Sequence, residues 1–533
     1  MKREVKQIGG FFQQCIAYLT AALLGTVVIL VVFFPDIYGR KKFLLPNWSL
    51  ALIALGVWLL FAVACRFVSE KHRKRCSLRA ECERQNDECR RLDRAIKWMC
   101  VGLLLVELYI AFNIYFSIGW DPGSVWWAAL TSIDGEPWGE AYFSMYPNNL
   151  LLLLIETTLA RFQYAFGFLT EDYAPMACIA VGCAAITLSC YFTYRVLCLV
   201  TRRRYAVAGF CLCVILAGLS PWFSVYYSDS YGILFPILTV YLYSKPRKTE
   251  RGKLWGKTAA IAVGCIGYYM KPQCIIPVIG ILCVELIQLL MQKSVHRGGT
   301  LVALIATALL IFKLTGCLLT WWYESQGLSL NPEAAFGPAH FLMMGLNEAT
   351  CGVFSEADVA FSGSFATVKE RNRADLLAAT DRLRRMGPGG YLHFVAKKLV
   401  ADYYDGTFAW GGEGEFYKKL RELPNRWMAP RLRELFYSTG SKYCYLALTE
   451  QMAWIAVLLL AGVFTLFSIK RRKDPAVDVM KLTALGAILF MILFETRARY
   501  AFLNVPIFCA LAAQGMAALE EFFASKKKTE KAF

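Results

Sequence analysis

Histidine is scarce in this 533-residue chain: only His72, His296, His340 and His393 occur, and all four fall outside the long apolar runs. A membrane acyl or phosphoglycol transferase of the cell envelope usually needs a membrane-embedded histidine, so that reading is weakened. Cys76, Cys82 and Cys89 follow one another at spacings of six and seven, with no CxxC pair and no histidine cluster beside them. That pattern speaks against a zinc site, and no metal framework is visible. The two halves show no internal repeat, and paired midplane charges on broken helices are not obvious, which disfavours a transporter. No small-residue cleavage site follows the first apolar run, which is also too long for a signal peptide. Lysine and arginine are absent from Trp120 to Asn149, although the other short loops are rich in them.

What is present is apolar. Hydrophobic residues make up 57% of the chain and its mean hydropathy is +0.43. With repeated apolar runs near twenty residues, this composition excludes a soluble multidomain protein and predicts an all-α polytopic membrane protein. The net charge of +18 sits mostly at the ends of apolar runs, where it meets anionic lipid headgroups, so nucleic acid is not the partner. Most of the 19 cysteines, such as Cys178, Cys183, Cys190, Cys211 and Cys213, lie inside apolar segments as small hydrophobes. Cys351 and Cys444 fall in the large outer segment.

About twelve spans are expected, near residues 11–34, 48–66, 97–118, 175–200, 205–224, 230–244, 256–271, 274–291, 299–321, 451–469, 478–494 and 499–520. An inside amino terminus places most basic loops on the cytoplasmic face: the charged loop 67–96, Arg202 to Arg204, Lys245 to Lys257, Lys293 to Arg297, Lys470 to Lys473 and the tail 521–533. Arg40, Lys41 and Lys42 depart from the rule. The run 150–168 must then lie along the outer interface instead of crossing. The domain plan is an N-terminal hairpin (1–66), the loop 67–96, a core (97–321) with an acidic outer loop (119–149), an extracytoplasmic cap (322–450) that mixes helices with Gly-rich turns, and C-terminal helices (451–520).

Under this topology several distant segments meet at the outer rim. Asp121 reads equally as the N-cap of a helix starting at Pro122 and as a catalytic carboxylate. Asp229, beside Ser228, reads as an N-cap or a substrate contact. Lys271, Arg497 and Arg499 read as snorkelling cations or as phosphate ligands, arginine being able to bind two oxygens at once. Tyr146, Asn148 and Asn149 begin the interfacial helix. Trp410, Glu413 and Glu415 suit the faces and hydroxyls of sugar rings, and His340 reads as an ordinary polar contact or a donor contact.

The ordered set WDPGSVWWAAL, YFSMYPNNLLLLL, SPWFSVYYSDSYGILFP, YMKP (Tyr269 to Pro272), HFLMMGLN (His340 to Asn347), DGTFAWGGEGEF (Asp405 to Phe416) and ETRARYAFLNVP (Glu495 to Pro506) resembles the GT-C superfamily of integral membrane glycosyltransferases. The likeness is to the bacterial branch related to dolichyl-phosphate-mannose protein mannosyltransferases and lipid A aminoarabinose transferases, over about residues 97–520. It implies a GT-C-like fold and transfer of a sugar from a polyprenyl-phosphate donor to a hydroxyl of an envelope polymer, glycolipid or protein on the extracytoplasmic face of a bacterial membrane. It implies Asp121 as general base, with Lys271, Arg497, Arg499 and Tyr500 at the donor phosphate. The chain departs from the pattern in its two extra N-terminal spans and in Pro122, where many relatives carry a second acidic residue, which leaves open both the exact base and a divalent metal, a metal not being indicated. No cofactor beyond the lipid-linked donor is implied. The alternative class is a polytopic transporter or flippase for a lipid-linked sugar.

Overall fold

The computed structural model describes the whole chain except residues 1, 39–44, 59, 61–77, 137, 170–173, 293–294, 411–426, 470–473 and 531–533. Among the described residues every regular element is helical. Eight helices are long and apolar enough to cross a bilayer: Gly9–Phe33, Asp87–Ile114, Met176–Val200, Pro272–Met291, Arg297–Ser325, Tyr443–Ser468, Pro475–Leu493 and Val505–Phe523. Their placement in the bundle follows their side chains. Arg297–Ser325 is the least buried, and Leu309, Leu310 and Trp321 point outward at 68%, 65% and 67% exposure, as on a lipid-facing helix. Val505–Phe523 is central and small-residue rich: a Cβ at Gly515 would come 2.0 Å from the Leu460 carbonyl oxygen, so only glycine permits this approach.

The other four expected spans are less regular or more polar. Of 48–66, a short helix over Asn47–Trp58 is described. The run 205–224 is a helix over Arg203–Cys213 that loosens into a π-turn at Val214–Gly218 and re-forms as a 3-10 turn at Pro221–Ser224, where proline cannot donate to the ladder. The run 230–244 is split between Ser228–Gly232 and Leu234–Ser244. Glu250–Met270 is one 21-residue helix, but Lys253 and Lys257 dilute its first half. The run 150–168 forms a 16-residue helix, Leu150–Ala165, short of the roughly 20 residues a crossing needs. Its far end exposes Phe162, Tyr164, Phe166 and Phe168, a side-chain set suited to a membrane interface.

The first helix, which precedes the expected core in sequence, is built into the bundle. It packs on Tyr443–Ser468, Ile276–Gln292 and Pro475–Leu493. The Asn47 amide donates to the Val31 carbonyl at 2.8 Å and accepts from the Gln451 amide at 3.2 Å, tying the hairpin to the C-terminal helices. The regular elements described in the cap are helical, chiefly Pro338–Gly345, Glu356–Gly363, Val368–Tyr403 and Met428–Phe436, joined by turns and irregular segments. Ser355 and Thr367 accept from the backbone N–H of Asp358 and Glu370 and so start two of these helices. The expected GPGG turn is a kink inside Val368–Tyr403, with Gly387 at φ 61°, a left-handed conformation that glycine adopts without a Cβ clash.

Candidate functional site

Five segments remote in sequence meet at one end of the bundle. Asp121 opens the helix Asp121–Thr131, yet it does not cap it: the N-cap is Trp120, with no side-chain cap bond. Its carboxylate instead accepts from the Tyr142 hydroxyl at 2.9 Å and from the Tyr227 hydroxyl at 3.1 Å, one phenol on each oxygen. Tyr142 in turn accepts from the Asn149 amide at 2.8 Å, and Asn148 donates to Asn149 at 3.4 Å. Asn149 thus spends its side chain on the acid's partner and not on the start of Leu150–Ala165. Tyr146 packs on Tyr142 with ring centroids 5.3 Å apart. Burial, followed by the nearby Asp121 and Glu495, pushes the Tyr146 phenol up to about 12.

Asp229 likewise caps nothing, since the N-cap of Ser228–Gly232 is Tyr227 without a side-chain bond. Asp229 has no exposed surface, and it receives the Lys271 ammonium on one carboxylate oxygen. Arg499 Nε lies 3.7 Å from the other. The snorkelling reading fails for both cations, because Lys271 and Arg499 are only 7% and 6% exposed. Burial depresses the Lys271 ammonium and the Asp229 carboxylate opposes that shift. Aromatic faces replace water around the charges. The Arg499 guanidinium lies 4.3 Å from the Trp120 ring centroid and 5.7 Å from that of Tyr227, and the Lys271 ammonium lies 4.2 Å from the Tyr500 ring. The Tyr500 hydroxyl donates to Glu495 at 2.9 Å. Burial raises the Glu495 carboxyl, while Arg499, the Tyr500 hydroxyl, Arg497 and Lys271 pull it back.

Asp121, Asp229, Lys271, Arg499 and Tyr500 therefore share one cluster, with Tyr227 between the first acid and the cations. Arg497 is half-buried beside Glu495. His340 stands apart in the cap: it stacks on Phe336 at 4.3 Å, and its Nδ1 lies 2.7 Å from the Ser362 hydroxyl, which donates to Asp375. Burial holds the His340 imidazole down at about 4. Phe336 reaches Tyr146 at 5.5 Å, so His340 touches the cluster only through two rings. Trp410 offers no face to a sugar. It has no exposed surface, donates from its indole to the Phe436 carbonyl at 2.7 Å, and packs on Trp222. Glu413 and Glu415 lie outside the described residues. No group of three or more His, Cys, Asp or Glu among the described residues is arranged to hold a metal ion.

Sequence reasoning gave four contributors no role. Trp120, Tyr142 and Tyr227 form the walls, and the only sequence signal for them was that each lies in an aromatic loop beside a carboxylate. Lys398, with no exposed surface, donates to the carbonyls of Gly345 at 2.7 Å, Ile492 at 3.2 Å and Phe494 at 2.6 Å. It fixes the turn that carries Glu495, whose own N–H donates to the Phe341 carbonyl at 2.9 Å. Residues 12–518 match the family described as conserved hypothetical integral membrane protein. The chain belongs to that family. Membership makes this an integral membrane protein, in accord with its eight apolar helices. No curated protein and no solved structure matches the chain.

Proposed function

We propose that this protein is a GT-C type glycosyltransferase that moves a sugar from a polyprenyl-phosphate donor to a hydroxyl of an envelope polymer, glycolipid or protein on the extracytoplasmic face. One observation carries the reading: a carboxylate, Asp121, stands a single tyrosine ring away from buried Arg499, which shares Asp229 with buried Lys271. Phosphoglycosyl chemistry needs both, a proton acceptor for the incoming hydroxyl and cations for the leaving phosphate. The acceptor oxygen bonds to the anomeric carbon as the bond from that carbon to the phosphate oxygen breaks, its electron pair going to the phosphate. The hydroxyl proton passes to Asp121, and the single displacement inverts the centre. Each oxygen of Asp121 accepts one phenol bond and keeps a lone pair for that proton. The two phenols hold the carboxylate in orientation, while Lys271, Arg499 and Arg497 meet the charge that gathers on phosphate.

The topology belongs to the same proposal. The four irregular or polar helices complete about twelve crossings, and the basic residues Arg202 to Arg204, Lys245, Lys257 and Arg297 mark the opposite, cytoplasmic end. A donor with a long isoprenoid tail then reaches the cluster from the outer leaflet with its tail still in lipid. The test compares glycolipids and envelope polymers of wild-type and Asp121→Asn strains by mass spectrometry at equal expression. Loss of a general base lowers the product by about 100-fold or more. An unchanged glycan profile sinks the proposal. Sugar transfer by purified protein in liposomes, without vectorial movement of the lipid, separates the enzyme from a flippase.

A further inference from the structure

At the end of the bundle away from the Asp121 cluster lies a cavity of about 350 Å³ that the proposed reaction does not use. One helix fixes its place. Cys178, near the start of Met176–Val200, accepts from the hydroxyl of Tyr231, two residues after Asp229, and the helix then runs about 33 Å to Val200, which lines the cavity. The chain leaves that helix through two extended residues, Thr201 and Arg202, which form one wall with Leu199. The other wall is a single stripe of Val505–Glu530, where Gln514, Ala517 and Glu521 are spaced three and four residues apart, with Phe464 beside it.

Gln514 is the informative member of this lining. It is only 5% exposed, and its Nε2 lies 3.4 Å from the Ala510 carbonyl of its own helix, a long contact that still decides which way the amide faces. Its Oε1 accepts no hydrogen bond among the described residues, so a largely buried acceptor borders the cavity without a donor. Arg202, by contrast, is exposed. Glu520 lies 4.0 Å from its guanidinium, and that same carboxylate oxygen already receives Arg204 and the Tyr205 hydroxyl. An acceptor that lacks a donor and a guanidinium able to take an anion thus share one cavity, and half of its lining is apolar.

We propose that this cavity binds the headgroup of an aminophospholipid, a phosphodiester that carries a primary ammonium. The phosphate oxygens meet Arg202 and the Thr201 hydroxyl, while the ammonium donates to Gln514 Oε1, with Glu521 in the same lining opposing its charge. The acyl chains leave past Leu199, which is exposed. A free headgroup ester offers the same polar chemistry, but the wall of Leu199, Val200, Phe464 and Ala517 favours a ligand with chains. The topology proposed above makes this the cytoplasmic leaflet, and the site is independent of the glycosyl-transfer reading.

The experiment titrates the full chain, purified in detergent and stripped of lipid, with dioctanoyl phosphatidylethanolamine, dioctanoyl phosphatidylcholine and dioctanoyl phosphatidylglycerol. A further probe, glycerophosphoethanolamine, has the headgroup without chains. The ethanolamine lipid binds about tenfold tighter than the choline lipid, whose methyl groups remove every N–H donor, and about tenfold tighter than the glycerol lipid, which brings no cation. Gln514→Leu keeps the size of the side chain and abolishes the preference over choline. Arg202→Ala weakens the ethanolamine and choline lipids alike, by about tenfold, and keeps their ratio, a split that a purely structural role would not produce. Should Gln514→Leu fail to fold, the wild-type ratios and Arg202→Ala, on an exposed side chain, decide. Equal affinity of wild type for the ethanolamine and choline lipids, tighter binding of the glycerol lipid, or no binding of any probe overturns the inference. Glycerophosphoethanolamine binding as tightly as the ethanolamine lipid overturns the lipid as the source of the headgroup.

Discussion

The helix Glu250–Met270 carries a lysine–carboxylate pair near its start and another just past its end, and the two are built differently. Lys257 lies 2.7 Å from Glu285, whose same oxygen also accepts from the Tyr243 hydroxyl at 2.8 Å. One cation meets one anion, and a phenol completes the shell. About 21 Å along the axis, Lys271 shares Asp229 with Arg499, and the walls are the rings of Trp120, Tyr227 and Tyr500. The first arrangement closes on itself and needs nothing further. The second gathers two buried cations around Asp229, with Glu495 close enough to interact with both, and a buried charge cluster of this kind is where functional sites are found.

Removing each lysine is the strongest way to break this comparison. Lys257→Gln strands the buried Glu285 and lowers the thermal unfolding midpoint by an amount equivalent to about 3 kcal/mol, whereas Lys271→Gln leaves Arg499 beside Asp229 and lowers it less. Only Lys271→Gln also lowers the glycosylated product, by about 100-fold at equal protein level. If the two variants lose product equally, the functional distinction between the pairs is wrong. Arg499→Lys keeps the charge but not the planar group stacked on Trp120, and product yield measured by mass spectrometry falls about tenfold.

A third prediction concerns acid. His340 is held at about 4 in the fold against 6.5 ordinarily, so the unfolded chain takes up the proton first. Its contribution is fully present above pH 6.5, is lost as the pH falls from 6.5 to about 4, and does not change below that. The loss is at most about 3 kcal/mol, measured by denaturation of the purified protein across that window. His340→Asn flattens the curve there. The smallest effect is expected from Tyr500→Phe, which deletes the hydroxyl bonded to Glu495 but leaves the ring against Lys271. It costs about 1 kcal/mol of stability and changes product yield by less than about threefold.

The long apolar helices were legible because a bilayer demands about twenty apolar residues in a row, a one-dimensional property. The split at Ser228–Gly232 and the π-turn at Val214–Gly218 were not, because both runs stay apolar through the break. Within the site, the charged residues could be named because charge at the end of an apolar run stands out. What they do to one another could not be read. Asp121 and Asp229 each precede or begin a short helix, and a cap was as good a reading as any until their partners on other segments came into view. Trp410 shows the opposite error: in sequence it sits in a Gly-rich loop beside glutamates, and nothing local reveals that Trp222, more than 180 residues away, receives it.

Lys398 bears on how the molecule can move. Its ammonium acts as a rivet through three carbonyls, one at the end of Pro338–Gly345 and two where Pro475–Leu493 ends, and each such bond to a charged donor contributes about 1.5–3 kcal/mol. A carrier whose alternating access parted these two segments would have to tear and remake that fastening in every cycle. A protein that keeps still while a lipid substrate slides in from the side can leave it in place.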